Sequence, residues 1–114
     1  MAQAPSAAPA AQRHRVTVKF NYNFARTHAC GPKNTDKICV KEFNVYNLTD
    51  KGQRYKLFAF PAPENSRKPL EVVSSTSPEL PFSPGQHLIA VTAVSNTGKE
   101  SNAYACTAMI YIKP

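Results

Sequence analysis

Apolar and polar side chains alternate along much of the chain, and this alternation predicts β-strands. Between Arg15 and Phe24, the apolar residues stand at every second position with polar residues between them. A period of two puts the apolar side chains on one buried face of a strand and the polar ones in water. No segment sustains the apolar spacing of three and four that a helix needs.

Six further strands are predicted, with turn residues between them, at 38–48, 54–60, 70–75, 77–82, 87–94 and 104–112. The alternation slips between Val40 and Phe43, which predicts a β-bulge. Pro78 and Pro81 cannot donate ladder hydrogen bonds, so their segment should lie at a sheet edge. We therefore expect an all-β fold, a seven-stranded antiparallel β-sandwich.

The stretch from 82 to 101 joins a Pro-Gly turn, a strand that is apolar on both faces, and an Asn-Thr-Gly turn. It resembles the late part of a fibronectin type III domain, although His87 stands at the corner position where that family has Tyr. The matching residues are Phe82, Pro84, Gly85, Ile89, Val91, Ala93, Val94, Asn96, Gly98 and Ser101. The resemblance implies a fibronectin-like or immunoglobulin-like sandwich over 15–114, in a secreted bacterial protein.

The N-terminal residues differ from the rest because Ala and Pro dominate them. We expect residues 1–14 to form an arm or linker and residues 15–114 to form a single folded domain. The triplet Ala2-Gln3-Ala4 is the small-x-small pattern found near the cleavage sites of secreted proteins. One hypothesis lays the arm on a sheet edge of the next copy, which would propagate as a filament. Pro5 and Pro9 count against it, since they remove ladder donors.

The formal net charge is +7, and the excess lies near the N-terminus. Residues 1–35 contain five basic and no acidic side chains, whereas residues 36–114 contain nine basic and seven acidic ones. The basic residues are not interleaved with aromatic ones in the manner of nucleic-acid-binding modules, so we expect no specific nucleic-acid partner. No apolar run approaches the ~20 residues of a membrane span, so we expect a protein that does not span a membrane.

Three cysteines offer more than one pairing. Cys30 and Cys39 flank one loop, and their short separation favours a disulfide between them. Cys106 would then be free or intermolecular, and Cys30–Cys106 is the alternative intramolecular pairing. A disulfide places the protein in a secreted, extracellular or periplasmic setting, whereas three reduced thiols would suit the cytosol. A zinc site formed by His28 with the three cysteines lacks the usual paired ligand spacing, so we expect no metal or other cofactor.

The chain lacks the residue patterns of an enzyme. The seven acidic side chains are scattered, and there is no phosphate-binding Gly-rich loop or nucleophile elbow. His87 is expected to hydrogen-bond the backbone at a strand corner, as the Tyr that it replaces would do. We therefore expect no catalysis.

The leading hypothesis is a non-catalytic extracellular module that mediates protein association, as an adhesion or spacer domain or as a subunit of a surface filament. Binding would use the loops 25–37 and 96–102 or an exposed sheet edge. The candidate interaction residues are Arg26, His28, Lys33, Asn34, Asn96, Lys99 and Glu100. The alternative is a carbohydrate- or polyanion-binding module, which would need outward-facing aromatic residues in line: Tyr46, Tyr55, Phe58 and Tyr111.

Overall fold

The structure, a computed structural model, describes residues 12–32, 38–49 and 51–114. The described residues form eight β-strands and no helix. The strands are β1 (Gln12–His14), β2 (Thr17–Tyr22), β3 (Val40–Leu48), β4 (Arg54–Pro61), β5 (Glu71–Thr76), β6 (Leu80–Phe82), β7 (Gly85–Ser95) and β8 (Cys106–Ile112). The all-β prediction is confirmed, and no helix in this part of the chain is long and apolar enough to cross a membrane.

Four strands form one antiparallel sheet in the order β4-β3-β7-β8. The long strand β7 lies between β3 and β8, and its residues from Ile89 to Val94 are all buried. This explains why both faces of the strand are apolar in the sequence. The register of β3 on β7 shifts between Val40 and Glu42, which confirms the predicted bulge.

Two shorter antiparallel pairs, β2-β5 and β1-β6, complete the structure. β1 and β2 are separated only by Arg15 and Val16, whereas three residues separate β5 from β6. At this interruption the Ser77 N–H donates to the Val16 carbonyl at 2.9 Å, and the Val16 N–H donates to Ser77 Oγ at 2.8 Å. Among the described residues β6 pairs with β1 alone, which agrees with the edge position predicted from Pro81.

The predicted count of seven strands is wrong, because the described residues contain eight. The strand that the sequence pattern missed is β1, Gln12–His14. It has no apolar side chain and therefore no alternation to detect, and its strand conformation comes from pairing with β6. Residues 1–11 of the predicted arm lie outside the described residues.

Aromatic side chains from both layers form the centre of the core. Phe20 of β2 contacts Phe43 of β3 with ring centroids 5.2 Å apart, and Phe43 contacts Phe60 of β4 at 5.4 Å. Phe24, which follows β2, and Phe43 are completely buried. The β2-β5 pair therefore packs over the four-stranded sheet, and burial of these rings is the main favourable term in the stability of the fold.

Candidate functional site

Cys30 and Cys39 form a disulfide with their Cα atoms 5.1 Å apart, so the preferred pairing is confirmed. Cys106 is a half-buried free thiol in β8. The alternative Cys30–Cys106 pairing is therefore wrong. The four-ligand zinc set is not assembled either, because two of its thiols are bonded to each other.

Backbone hydrogen bonds join the two ends of the disulfide loop. The Cys30 N–H donates to the Val40 carbonyl at 2.8 Å, and the Val40 N–H donates to the His28 carbonyl at 2.9 Å. A Cβ added at Gly31 would collide with the Asn65 side chain, which would then have to move.

The turn between β7 and β8 meets the disulfide loop. The Asn96 N–H donates to the Cys39 carbonyl at 3.1 Å, and Asn96 Oδ1 accepts the Cys39 N–H at 3.2 Å. Gly98 adopts a φ of +87°, and its N–H donates to the Ser95 carbonyl at 2.9 Å. The two loops therefore lie at the same end of the molecule.

An open cavity of about 340 Å³ lies between the two loops. Ile38, which is 68% exposed, and Cys39 border it on one side, and Thr97, Lys99 and Asn102 border it on the other. A second hollow, of about 380 Å³, is lined by residues that include Arg26, Tyr104 and Asn21. This end therefore presents apolar and basic groups together.

Some of the predicted interaction residues are exposed to solvent, and others are half-buried and hold the loops together. Arg26 and Lys99 are exposed at the loop end, whereas His28 and Asn96 are half-buried and contribute backbone or side-chain atoms to the loop contacts. Lys33 and Asn34 lie outside the described residues. Among the candidates that the structure describes, Arg26 and Lys99 combine the predicted position with an exposed side chain.

Glu100, the last predicted interaction residue, belongs to a polar network on the outer face of the four-stranded sheet. Its carboxylate accepts hydrogen bonds from Tyr46 Oη and Thr92 Oγ1, both at 2.6 Å, and forms an ion pair with Arg54 at 3.1 Å. The Arg54 guanidinium also lies over the Tyr46 ring, 4.3 Å from its centroid. Glu100 thus fixes the β7–β8 turn to the sheet.

Hydrogen bonds from Thr92 and Tyr46, with smaller contributions from Asn44 and Arg54, lower the pKa of Glu100 to about 2. Burial opposes this shift, because it raises the pKa of a carboxyl group. Burial, followed by the hydrogen bond to Glu100, raises the pKa of Tyr46. The proton is therefore held on the phenol and the negative charge on the carboxylate.

The sequence pattern did not predict this network, since Tyr46 was assigned to the carbohydrate alternative and Asn44, Thr92 and Arg54 were not singled out. The sequence nevertheless contains a signal for it. Asn44 and Tyr46 stand two residues apart on β3, and Thr92 lies opposite Asn44 in the register with β7. Polar residues at such positions share one face of a sheet. Asn44 is itself buried, and its Oδ1 atom has no hydrogen-bond partner in the described part of the chain.

The four aromatic residues of the carbohydrate alternative do not form one surface. Tyr46 is buried in the Glu100 network, and Phe58 is half-buried against Phe60. Tyr55 lies opposite Asn47 in the register with β3, on the face of the four-stranded sheet that covers the core. Tyr111 of β8 lies on the other face of that sheet. The aligned platform that this alternative requires is therefore absent from these residues.

His87 has the predicted corner role. Its Nε2 donates to the Ser83 carbonyl at 2.8 Å, and its Nδ1 accepts from Asn47 Nδ2 at 3.0 Å. The ring also packs edge-on against Phe82, with centroids 5.3 Å apart. His87 thus joins the turn before β7 to strand β3.

Comparison of the chain with protein-family models, with curated proteins and with solved structures finds no match in any of the three.

Proposed function

We propose that the protein is a non-catalytic, extracellular association module that binds other proteins, and first of all further copies of itself. The observation that carries this proposal is a set of open sheet edges in the described part of the chain, those of β4 and β5 as well as those of β2 and β8. Among the described residues, β2 has only β5 as a neighbour, and β8 has only β7. An exposed edge presents unpaired N–H and C=O groups, which are a template for adding a strand from another chain.

The strand order supports a specific all-β fold, a fibronectin-like or immunoglobulin-like sandwich. In immunoglobulin lettering, the adjacent strands β2 and β5 correspond to B and E, and β3, β7 and β8 correspond to C, F and G. The position beside β2 that strand A occupies in that fold has no strand in the described part of the chain. The open edge of β2 is therefore the edge that the proposed fold would normally cover.

The Cys30–Cys39 disulfide supports a location outside the reducing cytosol, because disulfides persist in secreted and periplasmic proteins. The loop end, with Arg26 and Lys99 exposed beside Ile38, offers a second contact surface for a partner.

Light scattering after size-exclusion chromatography tests the proposal. The full chain should elute with a mass that rises with concentration above that of one chain, because edge pairing is a reversible contact. The Cys106→Ser variant should behave in the same way, since the association does not depend on a disulfide. A single-chain mass at every concentration would contradict self-association.

A further inference from the structure

Strand β8 differs from the other described strands that have an open edge. Charged side chains, proline and short length are the usual features that prevent edge strands from pairing with other chains. β6 has three residues and contains Pro81, and β1, β2, β4 and β5 each carry a charged side chain. The charged residues of those strands are Arg13, Lys19, Arg54, Lys56 and Glu71. β8 has seven residues, with neither a charged side chain nor a proline, so it lacks all three protections.

β8 also exposes apolar side chains on both of its faces. On the outer face of the sheet, Met109 is 58% exposed and Tyr111 is 60% exposed. On the inner face, Ala108 and Ile110 line an apolar hollow of about 210 Å³, which runs as a groove between β2 and β8. Pairing with a further strand would remove part of this apolar surface from water, which is favourable.

The backbone of β8 has hydrogen-bonding groups available on its open side. The Val91 carbonyl of β7 accepts from the Ala105 N–H at 2.7 Å, so the odd-numbered residues of β7 direct their backbones toward β8. Their partners in the register are the even-numbered residues of β8. Because successive residues of a strand direct their backbones to opposite sides, Thr107, Met109 and Tyr111 direct theirs to the open edge.

We propose that β8 pairs with β8 of a second copy, so that the two four-stranded sheets join into one. The inference rests on the proposed function, since it names the edge and the partner of the self-association. The net charge of +7 makes two copies repel each other, and a charged side chain within the contact would add to this repulsion. Among the described open edges, β8 against β8 is the pairing longer than three residues that brings no charged side chain into the ladder.

The position of the two-fold axis follows from the backbone of β8. An axis at right angles to the sheet makes the two strands antiparallel and preserves the faces of the sheet. If the axis passes through Met109, this residue faces its own counterpart and Thr107 faces Tyr111. The three residues with free backbone groups then exchange about six hydrogen bonds with the second copy. Moving the axis by one residue leaves either Thr107 or Tyr111 without a facing residue in the strand.

The side chains of β8 fit this register. A small residue faces a larger one on both sides of the joined sheet: Thr107 faces Tyr111 on the outer face, and Ala108 faces Ile110 on the inner face. Lys113 follows the strand and faces no other charged side chain. The outer face stays open to water, whereas the inner face is bounded by β2. The same patch is used on both copies, so the contact closes at two chains.

Disulfide trapping with cysteines on the outer face of β8 tests the contact. Every variant carries Cys106→Ser, and the replaced residues Thr107, Met109 and Tyr111 are exposed, so the core is unchanged. Facing residues have Cα atoms about 5.5 Å apart, within reach of a disulfide, whereas positions four residues out of register are more than about 10 Å apart. After gentle oxidation, Met109→Cys should form a covalent dimer with its own copy. Thr107→Cys and Tyr111→Cys should each remain single chains alone and should form a covalent dimer when mixed.

Tyr55→Cys, also with Cys106→Ser, is the matched control, because Tyr55 is exposed on the edge strand β4 and should remain a single chain. Cross-linking of Tyr55→Cys as strong as that of Met109→Cys, or of Thr107→Cys alone as strong as that of the mixture, would contradict the register. If the native chain associates by light scattering but neither Met109→Cys nor the mixture cross-links, the proposed function stands and the β8 contact is wrong. A single-chain mass of the native protein at every concentration would overturn both.

Discussion

Glu100 was predicted from the sequence to contact a partner, but in the structure its carboxylate binds side chains of the four-stranded sheet. It lies in a polar turn, where exposed acids commonly serve recognition. In the structure its side chain is 27% exposed and is surrounded by two hydroxyl donors and a guanidinium. Its negative charge is therefore satisfied within the molecule and is not available to a partner.

The lowered pKa of Glu100 predicts a pH-dependent stability. The group titrates at about 2 in the folded chain and at about 4.5 when unfolded, so its contribution is complete above pH 4.5 and is lost as the pH falls toward 2. The full shift corresponds to about 3 kcal/mol. Urea unfolding at pH 6 should show Glu100→Gln to be less stable than the native chain, and the difference should shrink near pH 2.5.

Glu64→Gln is the control for this experiment, because Glu64 is exposed in a loop. It should track the native chain at both pH values. A difference between Glu100→Gln and the native chain that is as large at pH 2.5 as at pH 6 would contradict the role assigned to the ionised carboxylate.

At the scale of the elements, the disulfide loop and the β7–β8 turn stabilise each other. Closing a loop with a sequence separation of 9 removes conformations from the unfolded chain, which is worth about 3 kcal/mol in the chain-entropy account. The loop also positions Cys39 for its two hydrogen bonds with Asn96. Loss of the disulfide should therefore loosen both loops.

Replacing Cys30 and Cys39 together by Ser should lower the free energy of unfolding by about 3 kcal/mol, measured by denaturant titration. Cys106→Ser provides the comparison, since it removes a thiol without opening a loop. Equal midpoints for the double variant and the native chain would show that the disulfide does not stabilise the fold.

Strand periodicity and turn residues were sufficient to predict most elements of this fold. The apolar alternation of β2 and the two-sided apolar pattern of β7 follow from local sequence, because each reflects which faces are buried. β1 could not be found in this way, since Gln12–His14 carries no apolar residue and depends on pairing with β6. Whether Gln12–His14 forms a strand is determined by its pairing with residues far away in the chain, which the local sequence pattern does not contain.

In the candidate site too, the features that depend on local sequence were predictable and those that depend on strand pairing were not. The loop pair was predictable because Cys30, Cys39 and the turn at Gly98 carry their own signals. The Glu100 network was not, because it depends on the register between β3 and β7 and on the position of Arg54. The groove between β2 and β8 likewise exists only once the two layers are packed.

At the scale of the whole molecule, the core opens toward solvent along one side, between β2 and β8. A formal charge of +7 repels other copies, so the proposed self-association would have to gain its free energy from burial of apolar surface and from backbone pairing at the open sheet edges. Near 0.15 M salt the Debye length is about 8 Å, which leaves short-range pairing intact while weakening that repulsion.

The most direct test of the proposed self-association compares two arginine substitutions on the edge strand β8 by light scattering near 0.15 M salt. Ala108 is exposed and lines the apolar hollow between β2 and β8, whereas Thr107 is exposed on the opposite face of β8. The native chain and Thr107→Arg should associate as concentration rises, and Ala108→Arg should remain a single chain with an unchanged circular dichroism spectrum. Association of Ala108→Arg as strong as that of the native chain, or equal loss in both variants, would contradict the account.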